Sequence, residues 1–154
     1  MVRLTENFEL DEFLVSQTAT RHGIDMTPPQ TVIDNLRNVC IHVLQPLRVE
    51  VQKPIRISSG YRPPILNEMI GGSKTSAHRF GRATDFTVIG MSPFETVETI
   101  IELDLVYDQV IHEFGQWVHI GIAEIPRQEI LTALRENGET RYVRGLQETD
   151  YGSA

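Results

Sequence analysis

The stretch from Thr27 to Val51, TPPQTVIDNLRNVCIHVLQPLRVEV, most constrains what this chain can fold into. Val32, Ile33, Leu36, Val39, Cys40, Val43, Leu44 and Leu47 recur at helical spacing, so a long helix presents one apolar side. Such a side must be covered by another element. Thr27 is placed to cap this helix and Pro28 suits its first turn. Cys40, on the apolar side, reads as a small packed hydrophobe. It is the single cysteine of the chain, so an internal disulfide is excluded and a reducing compartment fits.

The covering elements are strands. KPIRISSGYRPP predicts a strand over Ile55 to Ser58 running into a Gly/Pro turn, and RATDFTVIG predicts a second, alternating strand. LVYDQVIHEF and WVHIGI follow as a hairpin joined through Gly115-Gln116. In EILTALRENGETRYVRG the composition favours helix, but Asn137-Gly138 is a hairpin turn and decides for strands. Two further helices are expected. One is short, around Leu10 to Ser16, with Gly23 as breaker. The other opens at Ser92 with Glu95 in a capping box and Pro93 in its first turn. The expected class is α+β, with N-terminal helices packed on a mostly antiparallel sheet. One domain over residues 1–146 and a polar, frayed tail over 147–154 complete the expectation.

Charge and hydropathy narrow the function classes. A formal charge of −7 opposes non-specific attraction to nucleic acid or anionic membrane. No segment is apolar for long enough to span a bilayer, and MVRLTENFELDEFLV lacks the apolar run of a secretory signal, so cytoplasmic synthesis is expected.

The chemistry gathers around SAHRFGRATDF, residues 76–86. On a strand from Ala83 to Val88, Phe86 and Val88 face the core and Asp85 faces away. His78 lies in the loop before that strand, and Gly81 lets the backbone turn back. In WVHIGI, Trp117 and His119 share one face, so His119 also leaves the core side. Two imidazoles and a carboxylate are the ligand set of a catalytic zinc site with one position open. Spacing alone leaves the bland alternative standing, in which the three are structural or exposed. His22, beside a glycine, and His42, on the polar side of the long helix, read as solvated.

Ser76-x-His78-x-x-Gly81-x-Ala83-x-Asp85, followed by Trp117-x-His119, resembles the signature of the zinc-dependent D-alanyl-D-alanine carboxypeptidase group of peptidoglycan peptidases, the M15 type. That group includes phage endolysins that cut L-alanyl-D-glutamate bonds. The similarity extends through ISSGYRPPILNEMIGGSKTSAH and the amino-terminal NFELDEFLVSQTATRHGIDMTPP, from about residue 5 to about 122. The resemblance implies the M15/Hedgehog-like zinc peptidase fold, with His78, Asp85 and His119 as zinc ligands. It further implies a peptidoglycan stem peptide as substrate, and Arg62 as the residue that holds a carbonyl or carboxylate of it. Ser76 either donates to substrate or caps its loop, and a surface salt bridge is the competing role for Arg62. A phage lysis or wall-degrading enzyme follows, released through a host lysis pore or carried by a virion.

The general base is where the chain departs from part of that family. Some members have an acid three positions before the last histidine; here Gln116 lies just before Trp117-x-His119 and cannot take a proton. Glu113 is the nearest acid. A strict two-residue turn would set Glu113 opposite Val118 and away from the zinc, with His112 opposite His119. A three-residue turn, Phe114 to Gln116, sets Glu113 opposite Trp117 on the metal face. The resemblance favours Glu113 as base, with His112 as substitute. Gln116 also keeps open a non-enzymatic wall-binding or phage structural module that retains the zinc fold.

Overall fold

A computed structural model describes residues 2–149. The chain opens with a small antiparallel pair, β1 (Arg3–Thr5) and β2 (Phe8–Glu9), followed by a 3-10 turn over Leu10–Phe13. The helix expected over Leu10 to Ser16 is therefore two pieces. Glu12 accepts the Glu9 N–H at 2.7 Å and closes the 3-10 turn, while Ser16 accepts from Ala19 and starts a new helix, α1 (Gln17–His22). Gly23, at φ 64°, ends α1 as expected.

The long helix begins at Gln30, not beside Thr27. Thr27 is turned onto Asp25, whose Oδ1 accepts both its N–H and its hydroxyl at 2.9 and 2.6 Å. Pro29 also keeps the preceding residue out of the helical region, so the helix cannot start earlier. It then runs as α2 (Gln30–Val39), a wide π turn over Cys40–Leu44, and α3 (Gln45–Val51). Pro46 explains the π turn. Without an N–H it cannot serve the His42 carbonyl, and the helix widens just upstream, with Gln45 N–H reaching back to Cys40 C=O. Val32, Leu36, Val39, Cys40, Val43, Leu44 and Leu47 are all buried, and Ile33 packs at their edge. Burial pushes the Cys40 thiol up to about 12, which makes it inert as a nucleophile.

After β3 (Ile55–Ser59) comes a helix the sequence reading did not foresee, α4 (Pro64–Met69), then β4 (Ala83–Val88). Next is α5 (Pro93–Glu102), which carries the expected Ser92–Glu95 capping box. Strands β5 (Gln109–Glu113), β6 (Trp117–Gly121), β7 (Glu129–Glu136) and β8 (Glu139–Arg144) follow. Asn137 and Gly138, at φ 52° and 79°, make the expected β7–β8 turn.

The class is α+β. The six-stranded sheet has the order β3-β4-β6-β5-β7-β8, antiparallel at every pair except β5–β7, which is parallel. Phe86, Val88, Val110, Val118 and Ile120 project from one face into a single apolar cluster with the long helix and α5. Each large apolar side chain fully buried there contributes about 1.5–3 kcal/mol. The other face stays open and carries the polar residues described below. Among the described residues, no helix is long and apolar enough to cross a membrane.

His112 faces the core, packed edge-on against Phe94 with its Nδ1–H donating to the Gln147 carbonyl at 3.2 Å. Gln147 N–H in turn donates to Thr132 Oγ1 at 2.9 Å, so the chain just after β8 is tied down where fraying was expected. Residues 150–154 of the expected tail lie outside the described residues. Burial lowers the His112 pKa below its usual 6.5, the Gln147 contact opposing. Its contribution to stability is therefore full above the unfolded value of 6.5 and is lost as pH falls from there towards the lower folded value. The urea midpoint of the wild type should fall between pH 7 and pH 5 more steeply than that of His112→Leu. Equal slopes would place the acid sensitivity elsewhere.

Candidate active site

The site is built on the open face of the central strands. In the β4–β6 register Asp85 lies directly opposite His119, and in the β5–β6 register Glu113 lies opposite Trp117. Partners in register project from the same face. The connection is thus the three-residue turn. Phe114 and Gly115 take φ values of 56° and 64°, and Gln116 N–H closes onto Glu113 C=O at 2.9 Å. A non-glycine residue at positive φ costs about 1–2 kcal/mol. Phe114 offsets this by packing against Trp117 and beneath the Arg135 guanidinium. Glu113 therefore stands on the face of Asp85 and His119, while His112 pairs with Val118 and points into the core. His112 is thereby excluded as a substitute base.

His78 comes to the same point from a 3-10 turn, Ala77–Phe80, that leads into β4. Ser76 caps this turn, its hydroxyl accepting from His78 N–H, and Gly81 ends it at φ 71°. Ser76 is also the acceptor for Arg62 Nη2 at 3.4 Å, so capping and the cleft wall are joined in one residue. His78 is 2 % exposed, and its Nδ1 lies 2.8 Å from the Gly60 carbonyl. A carbonyl only accepts, so Nδ1 carries a proton there, and Nε2 is the nitrogen turned towards Asp85, 3.4 Å from its Oδ1.

Gly60 is fixed by its own contacts. A Cβ there would lie 2.5 Å from the Phe13 carbonyl oxygen and 2.8 Å from its Cα, and neither backbone atom can step aside cheaply. Gly60→Ala should cost about 1–3 kcal/mol in denaturant unfolding. An unchanged midpoint would show that the Leu10–Phe13 turn yields freely.

His119 Nδ1 lies 2.9 Å from Asp85 Oδ1 and 4.0 Å from Glu113 Oε1. One ligand atom from each of His78, Asp85 and His119 falls within 4.8 Å of the others, and the two imidazole rings meet near edge-on at 5.2 Å. Burial alone would raise the Asp85 pKa, but hydrogen bonds from His119 and His78, together with their charge, hold its carboxyl well below the usual carboxylate range. Glu113 goes the other way. Burial first, then repulsion from Asp85, push its carboxyl up to about 7, with His119 and Arg62 offsetting part of the rise. Two acids side by side thus differ in role: one is held as an anion, the other is poised to exchange a proton near neutrality. The donor set suits a divalent cation such as zinc, since two imidazole nitrogens and a carboxylate converge and the remote nitrogen of His78 is already engaged.

Arg62 follows the Gly60-Tyr61 turn, its backbone N–H bonded to the His78 carbonyl at 3.0 Å. Among the described residues it forms no ion pair within 4.0 Å, and its Nε is buried without a hydrogen-bond partner. It walls a cleft of about 610 Å³ together with Ser76, Trp117 and the His78–Asp85–His119 cluster. His22 and His42 are exposed and away from this cleft.

A mixed sheet whose open face gathers two histidines, an aspartate and a raised-pKa glutamate in a cleft defines a hydrolase-type candidate metal centre. Residues 6–121 match the family described as Peptidase M15, and the chain belongs to that family of peptidases. No curated protein matches the chain at a significant level.

Proposed function

We propose that this peptidase is zinc-dependent and cuts peptidoglycan stem peptides, as a DD-carboxypeptidase or an L-Ala-D-Glu endopeptidase. Its place would be phage lysis or wall degradation, with synthesis in the cytoplasm and access to the wall through a host lysis pore or on a virion. The observation that carries the reading is the convergence of His78, Asp85 and His119 with Glu113 at 4.0 Å from His119. In this reading the first three hold the ion, Glu113 is the general base, and Arg62 and Ser76 meet the substrate.

Zinc held by His78, Asp85 and His119 would supply Lewis acidity and make a water easier to deprotonate. Glu113 takes a proton from the attacking water and returns it to the departing amine, and a pKa near neutrality suits both transfers. Arg62, which walls the cleft, is the cation placed to meet a peptide carbonyl or carboxylate. The one feature favouring a binding-only module is Gln116, and Glu113 on the cleft face supplies the acid that Gln116 lacks.

The test is digestion of purified peptidoglycan by the zinc-loaded protein, with and without chelator, read by mass spectrometry. Fragments that appear only with zinc support the reading, and a new amino terminus or a lost alanine names the bond. Tight zinc binding with no cleavage in any wall type would overturn it in favour of a binding module.

A further inference from the structure

The family match ends at residue 121, at the last residue of β6, but the cleft does not. Arg127 and Tyr142 line it as well. Tyr142 belongs to β8, a strand that reaches the sheet only through the parallel β5–β7 pairing.

The registers place it. Trp117 pairs with Glu113, Glu113 with Ala133, and Ala133 with Tyr142, so these four form one row across the sheet on its open face. Two strand spacings, roughly 10 Å of backbone, separate Glu113 from Tyr142. The residue between them is Ala133, fully buried and reaching up with a single methyl group. A long aromatic side chain at position 142 has the length to extend over that methyl towards Glu113.

Tyr142 itself is 55 % exposed, so its ring is free to meet a ligand. Its strand is nevertheless held at both ends. Arg141 pairs with Glu136 at 2.8 Å across the hairpin, Gly145 N–H donates to Ile130 C=O at 2.8 Å, and Gln147 is bonded to Thr132. The phenol is kept protonated by partial burial first, then by the Glu113 and Asp85 carboxylates, and so remains a hydrogen-bond donor. Arg62 and Ser76 approach from the opposite wall, from the turn after β3 and the turn before β4.

We infer that Tyr142 is a specificity residue that packs against, and donates to, the half of the substrate peptide that leaves as the amine. This rests on the peptidase reading above. Glu113 lies between the His78–Asp85–His119 cluster and Tyr142 in the sheet order, and it is Glu113 that returns a proton to the departing amine. The departing half therefore lies on the Tyr142 side, and the acyl half on the Arg62 side. The ligand class that fits is a short peptide segment with an aliphatic side chain for the ring and a carbonyl or carboxylate for the hydroxyl.

The experiment uses the zinc-loaded full chain and a synthetic pentapeptide stem ending in D-Ala-D-Ala. Wild type, Tyr142→Phe and Tyr142→Ala are compared in kcat and KM. The two fragments that mass spectrometry identifies are then synthesised and titrated calorimetrically into each protein. Tyr142→Ala should raise KM about tenfold, the loss of one good contact, with kcat changed by no more than about twofold. It should weaken the amine-side fragment by a similar factor and leave the acyl-side fragment unchanged, with Tyr142→Phe intermediate. Equal KM and fragment affinities in all three proteins would overturn the inference. So would equal weakening of both fragments, which marks a general disturbance of the hairpin. A zinc-loaded wild type that cleaves nothing would instead remove the peptidase reading, and this inference with it.

Discussion

Replacing Glu113 with glutamine is expected to cut peptide hydrolysis by roughly 10²–10⁴-fold, the usual worth of a positioned acid–base group. Zinc affinity should change little. The side chain lies on the cleft face opposite Trp117, yet it stands 4.0 Å from His119 Nδ1, whereas Asp85 stands at 2.9 Å from the same atom. It is thus beside the candidate ligand set and not part of it. Glutamine keeps the shape and so preserves the turn through Phe114 and Gly115, but an amide neither accepts nor returns a proton at neutral pH. The loss should fall on kcat. Turnover measured by mass spectrometry, beside zinc affinity from chelator competition, separates the outcomes. Undiminished turnover would remove Glu113 as the base, and loss of zinc together with turnover would make it a ligand.

The second large effect is expected from Asp85→Ala. Structural zinc sites are worth roughly 10–16 kcal/mol over four ligands, so one ligand is worth roughly 3–4 kcal/mol, or about 10²–10³-fold in affinity. Asp85 Oδ1 is the shared point of the cluster, 2.9 Å from His119 Nδ1 and 3.4 Å from His78 Nε2. Its removal leaves two imidazoles 5.2 Å apart with no anion between them. The backbone pairing of β4 with β6 does not depend on the side chain, so the variant should fold. Zinc affinity in the wild-type range would exclude this carboxylate as a ligand.

The facing of Asp85 and His119 was legible in the sequence because strand alternation needs no tertiary information, whereas joining them with His78 in one set came from the family resemblance. Once Phe86 and Val88 are assigned to the core, Asp85 must face away, and the same holds for His119 between Val118 and Ile120. The capping box at Ser92 and the Asn137-Gly138 turn are likewise local devices with one structural meaning. What stayed hidden depends on competition or on distance. The Phe114–Gln116 turn has two possible lengths, and only pairing with β6 selects one. Thr27 had two partners available, and Asp25 took it before the helix could. α4 was concealed by the Gly/Pro signals around it, although Pro63-Pro64 ahead of Ile-Leu-Asn-Glu-Met was itself a usable helix start. The parallel β5–β7 pairing, which brings Tyr142 to the cleft, has no local signature at all.

The register that sets Asp85 against His119 also has a bearing on how the chain reaches its native state. These residues are 34 positions apart, and His78 must arrive from a separate turn. No local fragment holds the three together, so the binding pocket for an ion comes into being only when the β3-β4-β6 part of the sheet has assembled. A ligand that recognises only the assembled form shifts the folding equilibrium by mass action, by about 4 kcal/mol at a thousandfold excess over its dissociation constant. Long-range pairing of this kind is the slow part of building a sheet. An ion held there would slow unfolding to the extent that the three side chains meet only after the slow step of assembly.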